Sequence, residues 1–208
     1  LGRGEVRGLV GANGAGKSTM IKIIGGVYPQ TKGDIILKGQ PIKFKEPNDS
    51  MKSGISIIYQ ELSLVPTLTV IENLFLGRET TKGKQFLDKK SMEEEYREIC
   101  NKFKFDIDPN IKISNLNIAN RQMVEIMKAV SYNADIIIMD EPTTSLTSKE
   151  KESLFKIIEM LKSMDKTIIY ISHILDEIFL NCDTISIMRN GEIVGTYEKE
   201  KLNKEKIA

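Results

Sequence analysis

The sequence predicts an α/β fold: a core of parallel strands covered on both faces, with a helical stretch inserted between two of the strands. Three observations carry this. Ile136 to Met139 and Thr167 to Ile171 are nearly continuous apolar, β-branched runs, the texture of parallel strands buried on both sides. A glycine-rich loop separates a short apolar run from a helical segment near the start of the chain. Between Gln60 and Asp135 the apolar spacing becomes helical, and strands then return.

In chain order, Val6, Leu9 and Val10 read as a short buried strand, broken by Gly11 to Gly16. Lys17 to Ile24 follow as a helix carrying Met20, Ile21, Ile23 and Ile24, stopped by Gly25-Gly26. Asp34 to Leu37 and Pro41 to Phe44 suggest an edge hairpin around Lys38-Gly39-Gln40, and Ile55 to Tyr59 is a further β-rich run. Met92, Tyr96, Ile99 and Phe103 fall at helical spacing, as do Met123, Ile126, Met127 and Val130. Thr147 and Glu150 form a capping box before a helix whose Leu154, Ile157, Ile158 and Leu161 share one face. Thr184 to Met188 and Glu192 to Tyr197 flank Asn190-Gly191, a strong hairpin signal.

At 208 residues the chain is about one domain, and 40% hydrophobic with 28% charged residues leaves ample material for a core. With 30 Lys+Arg against 29 Asp+Glu the formal charge is +1, so no global field draws nucleic acid or anionic lipid. Cys100 and Cys182 lack metal-type spacing and suit a reducing compartment. No apolar run approaches the ~18 residues of a membrane span, and no signal-peptide pattern opens the chain. The first residue is Leu1 rather than Met, and core-like sequence begins almost at once, which reads as a fragment clipped at its N-terminus. Glu198 to Lys206 have the composition of a linker or frayed helix.

Gly11 to Thr19 read GANGAGKST, a full match to GxxxxGK[ST]. The motif lies after a buried strand and at a helix start, where free backbone N–H groups and the positive end of the helix dipole converge on phosphate. Gly14 and Gly16 let the backbone wrap β- and γ-phosphates, Lys17 supplies a point charge and the Ser18 hydroxyl a Mg²⁺ ligand. Asp140 and Glu141 end the Ile136 to Met139 strand. Carboxylates at a strand end are often merely solvated. Beside a phosphate loop, Asp140 can organise the metal and Glu141 can polarise an attacking water. His173, the only histidine, follows the Thr167 to Ile171 strand at the sheet end where ligands collect in open α/β folds. Gln60 ends the Ile55 to Tyr59 run, where its amide could reach Mg²⁺ or the water.

Together GANGAGKST, Tyr59-Gln60-Glu61, LNIANRQ at Leu116 to Gln122, IIIMDEP and Tyr170-Ile171-Ser172-His173 resemble, in order, the nucleotide-binding domain of ABC transporters. QELSLVPTLTVIENLFLGRE and QMVEIMKAVSYNADIIIMDEPTTSLT look like bacterial carbohydrate importers of the ribose/galactose (methyl-galactoside) type. The resemblance implies a P-loop NTPase (RecA-like) core with a small antiparallel β region and an inserted α-helical subdomain. Its core would be residues 1–60 and 136–208, and its helical, signature-bearing lobe 61–135. It implies an ATPase that powers sugar import by closing on ATP against a second nucleotide-binding half of the same polypeptide. The family's ATP site falls on Gly11, Asn13, Gly14, Ala15, Gly16, Lys17, Ser18 and Thr19, with Mg²⁺ on Ser18, Gln60 and Asp140. Glu141 becomes the general base, Gln60 assists, and His173 contacts the γ-phosphate. Permease subunits and, indirectly, a sugar-binding protein are the implied partners, with no nucleic acid, at the cytoplasmic face of the membrane.

The sequence departs from the family in the signature segment, where LSGGQ is replaced by Leu116-Asn117-Ile118-Ala119-Asn120. Asn117 can still cap a helix and donate toward the partner's ATP, whereas Ala119 puts a methyl where a backbone should approach phosphate. Thr147 stands where an aspartate is usual, and no residue presents itself for stacking on adenine. What this half gives its own nucleotide is intact, and what it lends its partner is altered, which suggests an asymmetric pair. Two other readings stay open: a catalytically weak half that binds ATP and regulates the assembly, and a non-transport ABC ATPase.

Overall fold

The structure, a computed structural model, describes residues 1–82 and 86–202. Its ten strands are β1 (Val6–Val10), β2 (Ile35–Leu37), β3 (Gln40–Ile42), β4 (Ile55–Ile58), β5 (Thr81–Lys82), β6 (Phe86–Leu87), β7 (Ile136–Asp140), β8 (Thr167–Ile171), β9 (Thr184–Arg189) and β10 (Glu192–Glu198). The helices are α1 (Lys17–Ile24), α2 (Pro47–Lys52), α3 (Val70–Phe75), α4 (Lys89–Phe103), α5 (Ile118–Ser131), α6 (Ser148–Ser163) and α7 (Leu175–Asn181). Six strands form the main sheet in the order β10-β9-β1-β8-β7-β4, parallel throughout except for the antiparallel β9–β10 hairpin.

The β-branched runs are strands because each buries both faces, alternating between two apolar layers. Ile137 and Met139 of β7, with Ile168 and Tyr170 of β8, join the layer built from α3 to α7. Ile138, Ile169 and Ile171 join the opposite layer, with Ile21 of α1 and Met188 of β9. The helices bury the faces their spacing predicts: Met92, Tyr96, Ile99 and Phe103 on α4, and Leu154, Ile157, Ile158 and Leu161 on α6. Between β9 and β10, Asn190 and Gly191 both take left-handed backbone (φ 50 and 84), as the hairpin signal requires.

Some expectations need correction. The hairpin around Lys38-Gly39 exists, with left-handed backbone at both residues, but β2 and β3 form a separate two-stranded sheet. Three-residue strands with Ile36 69% exposed bury too little to join the main sheet, whose edges are β10 and β4. The run at Ile55 stops at Ile58, one residue before Tyr59. Between Gln60 and Asp135 the chain is not wholly helical, since β5 and β6 pair there. Glu198 belongs to β10, and Lys199–Lys201 form a 3₁₀ turn. The remainder of the expected C-terminal linker, 203–206, lies outside the described residues.

Candidate active site

Sheet register aligns the candidate groups. Leu9 of β1 and Asp140 of β7 both pair with Ile171 of β8, so the three lie in one row across the sheet. Ile58 of β4 pairs with Met139, which sets Tyr59 level with Asp140 and Gln60 level with Glu141. At ~4.8 Å between strands, Leu9 and Asp140 stand roughly 10 Å apart. The segments leaving these strand ends are the Gly11 loop, Ser172-His173, Asp140-Glu141 and Gln60, and all issue from the same carboxyl edge.

The Gly11 loop is held by its sequence. An added Cβ at Gly11 would lie 2.4 Å from the Met188 carbonyl oxygen of β9, so only glycine allows this approach. Gly16 caps α1 with φ 103, and the Ala15 carbonyl accepts a 2.8 Å bond from the Gly191 N–H of the β9–β10 turn. Lys17 is buried, its Nζ donating to the carbonyls of Gly11 (2.7 Å) and Ala12 (3.1 Å). Asn13, Gly14, Ser18 and Thr19 are exposed. A cleft of ≈ 840 Å³ runs beside the loop, bounded by Gly11 to Ala15, His173, Asn190 and Tyr197.

Glu141 gathers two of the predicted residues. His173 Nδ1 lies 3.1 Å from its Oε1, and Gln60 Nε2 donates to its Oε2 at a longer 3.4 Å. The Glu141 side chain is 16% exposed against 61% for His173, so the carboxylate sits beneath the imidazole. Its backbone is left-handed (φ 48) and anchored by its N–H to the Ile171 carbonyl at 2.9 Å. Such a conformation costs a non-glycine residue on the order of 1–2 kcal/mol, and such strain concentrates at working sites. Burial first, then the Glu141 charge, pushes the Asp140 carboxyl above the ordinary aspartate range, with Lys17 and Lys22 pulling it down.

The donors suit a hard cation. Ser18, Asp140 and Gln60 offer hydroxyl, carboxylate and amide oxygens, the ligand types Mg²⁺ takes. Among the described residues no three His, Cys, Asp or Glu side chains could form a metal cage of their own. Mg²⁺ is commonly bound by one or two protein oxygens together with substrate phosphates, an arrangement these donor types allow.

The segment Asn117, Ile118, Ala119 and Asn120 opens α5 elsewhere, and among the described residues no hydrogen bond or ion pair ties it to the Gly11 loop. Asn117 does cap the helix, accepting from the Asn120 N–H at 2.8 Å. The Ala119 methyl is buried, and Ile118, 57% exposed, is the apolar side chain that this turn presents to solvent. Thr147 caps α6, its N–H and hydroxyl both donating to Glu150 Oε2 at 2.7 Å.

Sequence reasoning missed Glu177. This buried α7 carboxylate accepts from Thr143, Tyr170, Ser172 and Lys151, residues scattered from Thr143 to Ser172. A seven-residue helix carries too little periodicity to flag it.

The family described as ABC transporter matches residues 1–144. The chain is 48% identical, over 92% of its length, to the galactose/methyl galactoside import ATP-binding protein of Mannheimia succiniciproducens, and covers 38% of that protein. It is 46% identical to the protein of the same description from Haemophilus influenzae, covering 98% of this chain and 40% of the relative. The chain thus spans about 40% of the length of the curated relatives it matches. Among solved structures, it is similar to a nucleotide-free ATP-binding cassette from an ABC transporter, with TM-score 0.83 and 26% identity, covering 96% of this chain and 83% of that one.

Proposed function

The chain belongs to the ABC transporter family, and we propose that it is an ATP-hydrolysing half of a sugar importer's motor. The single observation supporting hydrolysis here is the Glu141 carboxylate, engaged by His173 at 3.1 Å and Gln60 at 3.4 Å on the sheet edge that carries the Gly11 loop.

In this reading the backbone N–H groups of Gly14 to Thr19 bind the ATP phosphates, with Gly11, Asn13 and Ala15 shaping the loop. Lys17 turns from the Gly11 and Ala12 carbonyls to the β- and γ-phosphates. Ser18, Asp140 and Gln60 would hold Mg²⁺, which would supply neutralisation of charge on the phosphate oxygens. Glu141 accepts the proton of the attacking water, and His173 keeps that carboxylate aimed while reaching the γ-phosphate. A second nucleotide-binding half, in the same polypeptide, completes the site. Asn117, Ile118 and Asn120, the exposed residues of the segment, face that partner's ATP while the Ala119 methyl is buried, and the altered segment makes the pair asymmetric. ATP stabilises the closed pair and ADP does not, and this difference in affinity drives the permease.

The segment 61–135 meets the permease. A cleft of ≈ 600 Å³ lined by Met51, Tyr59, Leu76, Arg78 and Tyr132 lies between it and the sheet and offers an apolar, aromatic seat. No helix among the described residues is long and apolar enough to cross a membrane. In this reading the chain works as a peripheral subunit at the cytoplasmic face. The sugar, of the galactose or ribose class, is recognised by the permease and a binding protein.

The test is Glu141→Gln in the full-length protein assembled with its permease. Phosphate release should fall by about 100-fold or more while ATP binding persists. Unchanged release would overturn the reading.

A further inference from the structure

We propose that Glu177 is a positioning residue that holds His173 against Glu141 by tying the segments flanking both to one carboxylate. This deepens the hydrolytic reading and rests on it for its kinetic consequence, though not for its geometry.

Glu177 Oε2 accepts from Thr143 Oγ1 at 2.7 Å, Tyr170 OH at 2.9 Å and Ser172 Oγ at 3.2 Å. Its Oε1 accepts from Lys151 Nζ at 2.8 Å, and the side chain is 6% exposed. These donors come from four places: the strand β8, the turn after it, the loop two residues beyond Glu141, and the first turn of α6. Ser172 Oγ in turn accepts from the Ile174 N–H at 3.0 Å, closing a turn whose middle residue is His173. A closed ring results. It runs from Glu141 along the chain to Thr143, across Glu177 to Ser172, along the chain to His173, and back to Glu141 through the 3.1 Å contact.

The chemistry requires an ionised carboxylate. It offers about four acceptor sites and no donor, which matches three hydroxyls and an ammonium. In Glu177→Gln one oxygen becomes an NH₂. Facing Lys151, which cannot accept, it repels. Facing the hydroxyls, it forces them to turn, and Ser172 loses the acceptor that fixes it. The two limbs are separable. Lys151 ties α6 to α7, whereas Thr143, Tyr170 and Ser172 set the geometry of the Glu141–His173 pair.

Among these 208 residues His173 is the only histidine, and comparison with a His173→Gln protein identifies its labelled imidazole NMR resonance. Glu141→Gln should shift that resonance clearly in the otherwise native chain and hardly at all in a Glu177→Gln background. An undiminished shift overturns the proposal. Should Glu177→Gln fail to fold, Ser172→Ala, which removes one donor, takes its place as the background, and an undiminished shift there overturns the proposal equally. In the assembled full-length ATPase, Glu177→Gln and Ser172→Ala should lower kcat about tenfold or more with KM for ATP within about twofold. Lys151→Met should lower the melting temperature with a clearly smaller loss of kcat than Ser172→Ala. Equal kcat losses in Lys151→Met and Ser172→Ala would make Glu177 a merely structural hub and refute the assignment. If the unsubstituted assembly hydrolysed no ATP, the functional reading would fall, and the imidazole shift would still decide the role of Glu177.

Discussion

Gly11→Ala probes the packing that sets the phosphate loop. The new Cβ would stand 2.4 Å from the Met188 carbonyl oxygen and 3.1 Å from the Ala15 Cβ. Ordinary carbon–oxygen contact begins near about 3.3 Å, so nearly 1 Å must be found. Met188 cannot yield easily, because its carbonyl is backbone on β9, which is paired to β1 through Val10 and Ile187. The loop therefore moves, and with it the carbonyls that seat Lys17 and the Ala15–Gly191 bond. Overpacking of this kind costs about 1–3 kcal/mol, and each kcal/mol lowers the melting temperature by ~2–4 °C in a chain of this size. Displacing the amides that meet the phosphates should also weaken Mg-ATP binding about tenfold or more. Gly33→Ala is the control, since Gly33 lies outside the phosphate loop, carries φ 80 and has no heavy atom within 4 Å of the added Cβ, so it incurs only a backbone cost of about 1–2 kcal/mol and should leave Mg-ATP affinity native. Thermal unfolding by circular dichroism and calorimetric titration with Mg-ATP measure both effects. A Gly11→Ala protein with native melting temperature and native affinity would refute the claim that contact with β9 positions the loop.

Three further outcomes follow from the same structure. Asp140 titrates above its ordinary value, so its contribution to stability is present at low pH and is lost as pH rises through its folded value. Asp140→Asn should therefore melt higher than the native chain at neutral pH yet lose Mg²⁺-dependent turnover, and a lower melting temperature would contradict this. Burial pushes the Glu177 carboxyl up, but bonds from Lys151, Thr143 and Tyr170 outweigh it and hold it below the ordinary glutamate range. Its stabilisation is full above that ordinary range and is lost as pH falls through the depressed value, so Glu177→Gln should flatten the acid limb of a melting-temperature-against-pH curve. Asn73 is fully buried, accepting from the Val65 N–H at 2.7 Å and donating to the carbonyls of Val65 and Thr69. Asn73→Ala strands those groups and should cost about 2–4 kcal/mol in urea denaturation, and a cost below about 0.5 kcal/mol would contradict the structural weight placed on these bonds.

Legibility in the sequence followed range. The Gly11 loop, the Asn190-Gly191 turn and the capping box at Thr147 are each written in a few adjacent residues, and each forms as read. The long strands and helices were readable because Ile136 to Met139 or Leu154 to Leu161 repeat an apolar period often enough to be seen. Six-residue helices such as α2 and α3 offer under two turns, although Thr69 and Glu72 form a capping box that could have marked α3. The candidate site divides the same way. Lys17, Asp140, Glu141 and His173 stood out because each follows a readable strand. Glu177 stayed hidden because Thr143 and Lys151 lie 34 and 26 positions away from it, and only the folded sheet brings them together. The burial of the Ala119 methyl was not legible either, because residue type alone does not tell which way a side chain on the first turn of α5 points.

The most direct measurement is a crystal structure of the full-length protein with Mg²⁺ and a non-hydrolysable ATP analogue. The triphosphate should lie on the Gly14 to Thr19 amides, with Lys17 Nζ on its oxygens, and the metal should be shared by Ser18 and Asp140 with Glu141 facing the terminal phosphorus. A triphosphate seated elsewhere, or Asp140 out of water-bridged reach of the metal, would contradict this arrangement.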